Sequence, residues 1–173
     1  IGYWRSQGLD VVDVAQTATD ASRFHAIYAV RTDASAATLE RLDSYGVTLL
    51  GYRTDEFPGF FTASTGLSVP ARVDSAAEIA DILRHARRLG RPGAVLVVQP
   101  PPADAALDRE TVDRAVEQAL VLARTAGVRG GAVTPFLLAE VLRATEGRSL
   151  RANLSLLESN ARLAGEVAVA LSA

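Results

Sequence analysis

The chain contains no cysteine, no methionine and no lysine, and all 18 of its basic residues are arginine. Without cysteine, disulfides, thiolate nucleophiles and thiolate metal ligands are excluded. Without lysine, no side-chain amine can form a Schiff base with a carbonyl substrate. Arginine is no replacement, because its guanidinium stays protonated. Histidine is limited to His25 and His85, neither with a metal-ligand partner three or four residues on, so both are expected to be structural. No stretch approaches the ~20 apolar residues of a membrane helix, and no positively charged leader precedes an apolar segment. A cytoplasmic protein away from membranes is therefore expected. Excess positive charge is also missing: the formal net charge is −2, which weighs against nucleic-acid or anionic-membrane binding. A small neutral or anionic ligand fits better. Because the chain begins at Ile1 and has no Met, a fragment or processed chain is expected.

What is present suits one packed domain, with 49% hydrophobic residues in 173. Apolar runs alternate with helical patterns, which predicts an α/β fold with a largely parallel sheet flanked by helices. Strands are expected at Leu9 to Val14, Ala26 to Val30, Val47 to Tyr52 and Ala94 to Gln99. A helix is expected from Ala36 to Tyr45, ended by Gly46. Ser75 and Glu78 have the spacing of a capping box opening a helix to about Leu89, with Gly90 as the stop. Asp108 is placed to cap a helix whose apolar stripe runs from Val112 to Ala123 and closes at Gly127. Thr134 before Pro135 reads as N-cap and first helical position, and Ser149 as the cap of a terminal helix reaching about Leu171.

Several constellations bear on function. Asn153 and Asn160 are seven residues apart, two helical turns, so both amides share a face with Leu156, Leu163 and Val167. Such amides either satisfy buried backbone or bind a substrate. Arg148 and Arg151 open the same helix, where the dipole disfavours cations unless an anion is present. They read either as solvated side chains or as a phosphate or carboxylate site. The stretch "GYRTDEFPGFF", Gly51 to Phe61, holds Asp55 and Glu56, which suit capping or pairing with Arg53 better than joint acid–base work. Its Phe57, Phe60 and Phe61 suit anchoring of a loop or an interface better than base stacking. Asp13 lies at the C-terminal end of an expected strand, the edge where open α/β sheets bind ligands, and one Asp can hold a hard cation through water. No Gly-rich phosphate loop or G-x-S-x-G elbow is present.

The blocks "GYRTDEFPGFF", "PARVDS", "GAVLVVQPPP", "AVTPFLLAEV", "GRSLRANLSLL" and "NARLAGEVA" occur in this order from about Leu39 to the end. In this the chain resembles the C-terminal half of the pseudouridine-5'-phosphate glycosidase family, also called indigoidine synthase A-like, with a divergent beginning. The resemblance implies that family's α/β fold and reversible cleavage of the C-glycosidic bond between uracil and ribose 5-phosphate. It also implies a divalent metal, usually manganese, and a homotrimer. A lysine that attacks the sugar C1' and a glutamate that moves protons are implied as well. The substrate-binding residues expected are Asn153, which matches a pocket Asn of the family, together with Asn160, Thr134, Arg148 and Arg151, with a nucleoside phosphate or sugar phosphate as the partner that the resemblance implies.

Aligned with the family pattern, "VDVAQTATDASRFHAIYAV" keeps the metal-associated Asp as Asp13, while Ala15 and Thr17 stand where a Ser and a second Asp are implied. "VRTDAS" stands where the lysine is implied. Two expectations follow: a glycosidase-like protein of this family, or a remnant without catalysis that binds a sugar phosphate or serves only in oligomer assembly. A condensing relative that makes C-nucleosides would need the same nucleophile.

Overall fold

Strand β1 (Thr48–Tyr52) is buried at every position after Thr48, as befits a strand covered on both faces. The computed structural model describes residues 36–91 and 94–173 of the chain. The strands expected at Leu9 to Val14 and Ala26 to Val30, and Asp13 with them, lie outside the described residues. Within these residues β1 is central, with β2 (Arg72–Val73) on one side and β3 (Val95–Val98) on the other, both parallel to it. The register sets Leu49 opposite Leu96 and Leu50 opposite Val97. Because successive side chains of a strand point to opposite faces, β1 feeds two cores. Leu49 packs with Phe57 and Val98, and Leu39 adds to that side from helix α1 (Ala36–Ser44). Leu50 and Tyr52 pack on the other side with Val73, Ile79 and Leu163.

Parallel strands need crossovers, and helix α2 (Ala76–Arg88) carries the chain from β2 to β3. Its start is as expected: the Ser75 hydroxyl accepts the Glu78 N–H at 3.2 Å. The Glu78 carboxylate in turn accepts the Asp74 N–H at 3.1 Å, one residue upstream of the usual capping-box partner. After β3, helix α3 (Arg109–Thr125) begins at Asp108, whose Oδ1 accepts the Thr111 N–H at 2.8 Å. Helices α4 (Val133–Ala144) and α5 (Arg148–Ser172) complete the described fold. A third core joins Val112, Ala115 and Ala119 of α3 to Val141 of α4, Ala152 of α5 and Phe61.

Two expected caps are corrected. Thr134 is not an N-cap: α4 begins at Val133 behind a 3₁₀ turn, Gly130–Ala132, so Thr134 already lies inside the helix. The Val133 N–H is taken by the Gly130 carbonyl, which leaves no need for a side-chain cap. Ser149 is not the cap of α5 either. Glu146 and Gly147 adopt left-handed conformations, φ 51° and 84°, and reverse the chain so that Thr145 covers the new helix start. The Thr145 hydroxyl accepts the Ser149 N–H at 3.2 Å, and its carbonyl accepts the Arg148 N–H at 3.0 Å. β2, two residues long, was not expected, since so short a strand leaves no alternation in the sequence. No helix among the described residues is long and apolar enough to cross a membrane.

Candidate functional site

The carboxyl ends of the three parallel strands lie along one edge of the sheet, and two polar regions meet that edge. One is the loop after β1. Gly51 opens it because a Cβ there would collide with the Thr54 carbonyl oxygen and the Val69 side chain. Arg53 then takes a left-handed backbone, φ 55°, and lays its guanidinium on the Tyr52 ring, 4.9 Å from the centroid. Its Nε donates to the Asp74 carbonyl at 3.2 Å.

The loop closes upon itself. Thr54 Oγ1 donates to the Glu56 carbonyl at 2.8 Å, Phe57 N–H donates to the Leu67 carbonyl at 2.6 Å, and Ser64 Oγ donates to the Glu56 carboxylate. Asp55 does not pair with Arg53, as expected from proximity, but with Arg72 at 2.7 Å. Asp74 grips the same guanidinium at 2.9 Å, and these two carboxylates hold the Arg72 pKa above its usual range. Phe57 is buried against the sheet and Phe61 in the third core, with Phe60 edge-on to Phe61 at 4.6 Å. The aromatics therefore anchor the loop, and both acidic side chains have partners within it or beside it.

The second region is helix α5. Asn160 is buried, at 5% exposure, on the face that also carries Leu163. Gln99, the residue after β3, donates from Nε2 to Asn160 Oδ1 at 2.6 Å. Asn153 lies two turns earlier on that face, half-buried, with no hydrogen bond from its amide to the described residues. Gln99 is the functional candidate that sequence reasoning missed. Its only signal was a polar residue ending an apolar strand at the ligand-binding edge.

The remaining candidates are not brought to the same place. Arg148 and Arg151 are exposed in the first turn of α5. At 100° per residue, Arg151 projects about 180° from Asn160 and Arg148 about 120°. Arg148 Nε donates to the Thr145 carbonyl at 3.3 Å. The Asp108 pKa is lowered, first by the Thr111 N–H it accepts and, more weakly, by the charge of Arg148. Thr134 is half-buried in the first turn of α4, its hydroxyl making no hydrogen bond to the described residues. His85 is exposed and its Nδ1 lies 2.7 Å from the Asp81 carbonyl, a local contact within α2. Among the described residues no group of three or more His, Cys, Asp or Glu side chains is arranged to hold a metal ion.

Comparison with known proteins connects this geometry to a family. Residues 33–170 match the family model described as indigoidine synthase A like protein. A pseudouridine-5'-phosphate glycosidase from Gemmatimonas aurantiaca is 58% identical over 135 residues, covering 78% of this chain and 44% of that protein. One from Symbiobacterium thermophilum is 47% identical over 137 residues, covering 79% of this chain and 44% of that protein. The chain therefore spans less than half the length of these curated relatives. Among solved structures, a prealnumycin C-glycosynthase in complex with ribulose 5-phosphate is similar with a TM-score of 0.72 and 35% identity, covering 79% of this chain and 45% of that one. An indigoidine synthase A-like protein from Thermotoga maritima gives a TM-score of 0.71 and 36% identity over the same shares.

Proposed function

The chain belongs to the indigoidine synthase A-like family, and from that premise we propose that it is the C-terminal part of a pseudouridine-5'-phosphate glycosidase. The observation that carries this reading is the polar face of α5, with Asn153 and Asn160, in a chain so similar to glycosidases of that name. Asn160 at the carboxyl edge of a parallel sheet, with Asn153 on the same helix face, can hydrogen-bond a polar substrate. Splitting the bond between uracil and ribose 5-phosphate requires attack at the sugar C1' and a proton for the departing carbon. The resemblance assigns the attack to a lysine, and none occurs in these 173 residues. The share of this chain is therefore to bind and orient substrate, with the amine supplied from outside these residues.

The same absence of lysine favours a second reading, a chain that binds a sugar phosphate or joins an oligomer without turnover. Uracil release from pseudouridine 5'-phosphate separates the two. Activity in the native full-length protein, and its loss in the 173-residue chain, is expected on the first reading. Binding of ribose 5-phosphate without release by the native protein would support the second.

The proposal extends to Arg148 and Arg151 as a phosphate contact at the exposed first turn of α5, off the face that carries Asn160, and to Thr134 as a contact from α4. Replacing both arginines by alanine is expected to weaken ribose 5-phosphate binding. Unchanged affinity would remove them from the site. A divalent cation, manganese by resemblance, is proposed at Asp13, and a homotrimer as the assembly of a cytoplasmic enzyme. Titration of Mn²⁺ into wild type and Asp13→Asn tests the metal, and sedimentation equilibrium tests the trimer.

A further inference from the structure

We infer that Gln99 and Asn160 form one recognition unit for the imide edge of a pyrimidine base, with Gln99 as a specificity-determining residue. This rests on the substrate reading above and adds to it which groups read the base. The amide–amide bond at 2.6 Å uses one N–H of Gln99 and the oxygen of Asn160. That leaves the Gln99 oxygen as an acceptor, and the Asn160 NH₂ with the second Gln99 N–H as donors, none with another partner among the described residues. If both amides are rotated by 180°, the unit still presents a free amide oxygen on one residue and a free NH₂ on the other, so the inference does not depend on their assigned orientation.

Burial makes the spare capacity informative. A buried polar group without a partner is costly, yet Asn160 is 5% exposed and keeps an unused donor. No fully enclosed side-chain nitrogen or oxygen among the described residues lacks a partner, so the free groups of the pair are not wholly enclosed. The pair lies where β3 ends, at the carboxyl edge of the sheet. A spare acceptor on one amide and a spare donor on the other, with the two residues tied by their own hydrogen bond, can complement a ring N–H beside a ring carbonyl. Uracil carries that pattern at N3–H with either carbonyl and at N1–H with O2. A sugar hydroxyl, which can rotate to donate or accept, would not need so fixed a pair.

The test uses calorimetric binding to the native full-length protein, with pseudouridine 5'-phosphate, its 1-methyl and 3-methyl derivatives, and ribose 5-phosphate as probes. In wild type, methylation at one of the two ring nitrogens is expected to weaken binding roughly tenfold or more, the loss of a hydrogen bond to a buried group. Asn160→Asp keeps an acceptor for Gln99, and with it the tie between β3 and α5, but replaces the open donor with an acceptor. That variant is expected to lose a similar factor for pseudouridine 5'-phosphate, to bind ribose 5-phosphate as wild type does, and to become indifferent to ring methylation. Gln99→Leu should show the same indifference, and a thermal melt verifies that each variant is folded.

If methylation costs nothing in wild type, or costs the same in wild type and both variants, the pair does not read the base. If ribose 5-phosphate binding falls in parallel, the pair only holds the fold. Failure of wild type to bind pseudouridine 5'-phosphate at all would overturn the substrate reading itself, a distinct result.

Discussion

The loop from Gly51 to Val69 and the helix α5 are both rich in polar side chains at the carboxyl edge of the sheet, but they use them in opposite ways. In the loop the hydrogen-bonding capacity is turned inward: Asp55 meets Arg72, Glu56 meets Ser64, and Thr65 Oγ1 donates to the Phe57 carbonyl at 2.5 Å. On α5 Asn153 has no partner among the described residues, and Asn160 uses only part of its amide on Gln99. A segment dense in acids and aromatics thus spends its capacity on the fold, while two amides on α5 retain capacity for a ligand. Chemical density in sequence is a poorer guide to a site than unspent hydrogen-bonding capacity in structure.

Removing the loop's anchor should produce the largest effect. Phe57 is 1% exposed and packs with Leu49 and Val98, so Phe57→Ala is expected to destabilise by about 3–5 kcal/mol. Chemical denaturation with a fitted slope measures it. If stability holds while ligand affinity collapses, the loop is a binding element and the contrast with α5 reverses. A smaller loss is expected where α4 turns into α5. Thr145 is fully buried, donates to the Val141 carbonyl at 2.7 Å and accepts the Ser149 N–H. Thr145→Val keeps the shape and strands that N–H, at about 1–3 kcal/mol. A melt unchanged from wild type would show that the cap contributes nothing.

How far this division was legible depended on how local its causes are. Ser75, Asp108 and the apolar run of β1 act within a turn or a strand, and each appears where expected. Thr134 and Ser149 carried good local signals that lost to neighbours: a 3₁₀ turn had already satisfied the start of α4, and Thr145 the start of α5. The partner of Asp55 is 17 residues away rather than two, because β2 lies beside β1, and pairing across a crossover leaves no trace in spacing. The two asparagines were visible through helical periodicity. Gln99 was not, since its contact with Asn160 spans 61 residues and exists only once β3 and α5 are packed.

Asn153 offers the sharper probe of α5. Because its amide makes no hydrogen bond to the described residues, Asn153→Leu should change stability by no more than about 0.5 kcal/mol. Affinity for pseudouridine 5'-phosphate should nevertheless fall roughly tenfold, as for one lost hydrogen bond. The two numbers have to be measured on the same preparation. A large stability loss with unaltered affinity would make this amide structural, as the polar side chains of the loop are.

The smallest expected effect is set by pH and concerns the start of α3. The Asp108 carboxylate accepts the Thr111 N–H, which holds its pKa below the ordinary value. A group whose folded pKa is depressed stabilises the fold above its unfolded pKa, near 4 for Asp, and loses that contribution as pH falls through the folded value. Asp108→Asn keeps a good N-cap but removes the titration. Wild type is therefore expected to melt slightly higher than the variant at neutral pH, and the gap should close as the solution is acidified below about pH 4. High salt at neutral pH should narrow the same gap, because the favourable interactions of the carboxylate with the helix dipole and with Arg148 are screened at this exposed site. A gap independent of both pH and salt would mean that the carboxylate acts at α3 only as a neutral hydrogen-bond acceptor would.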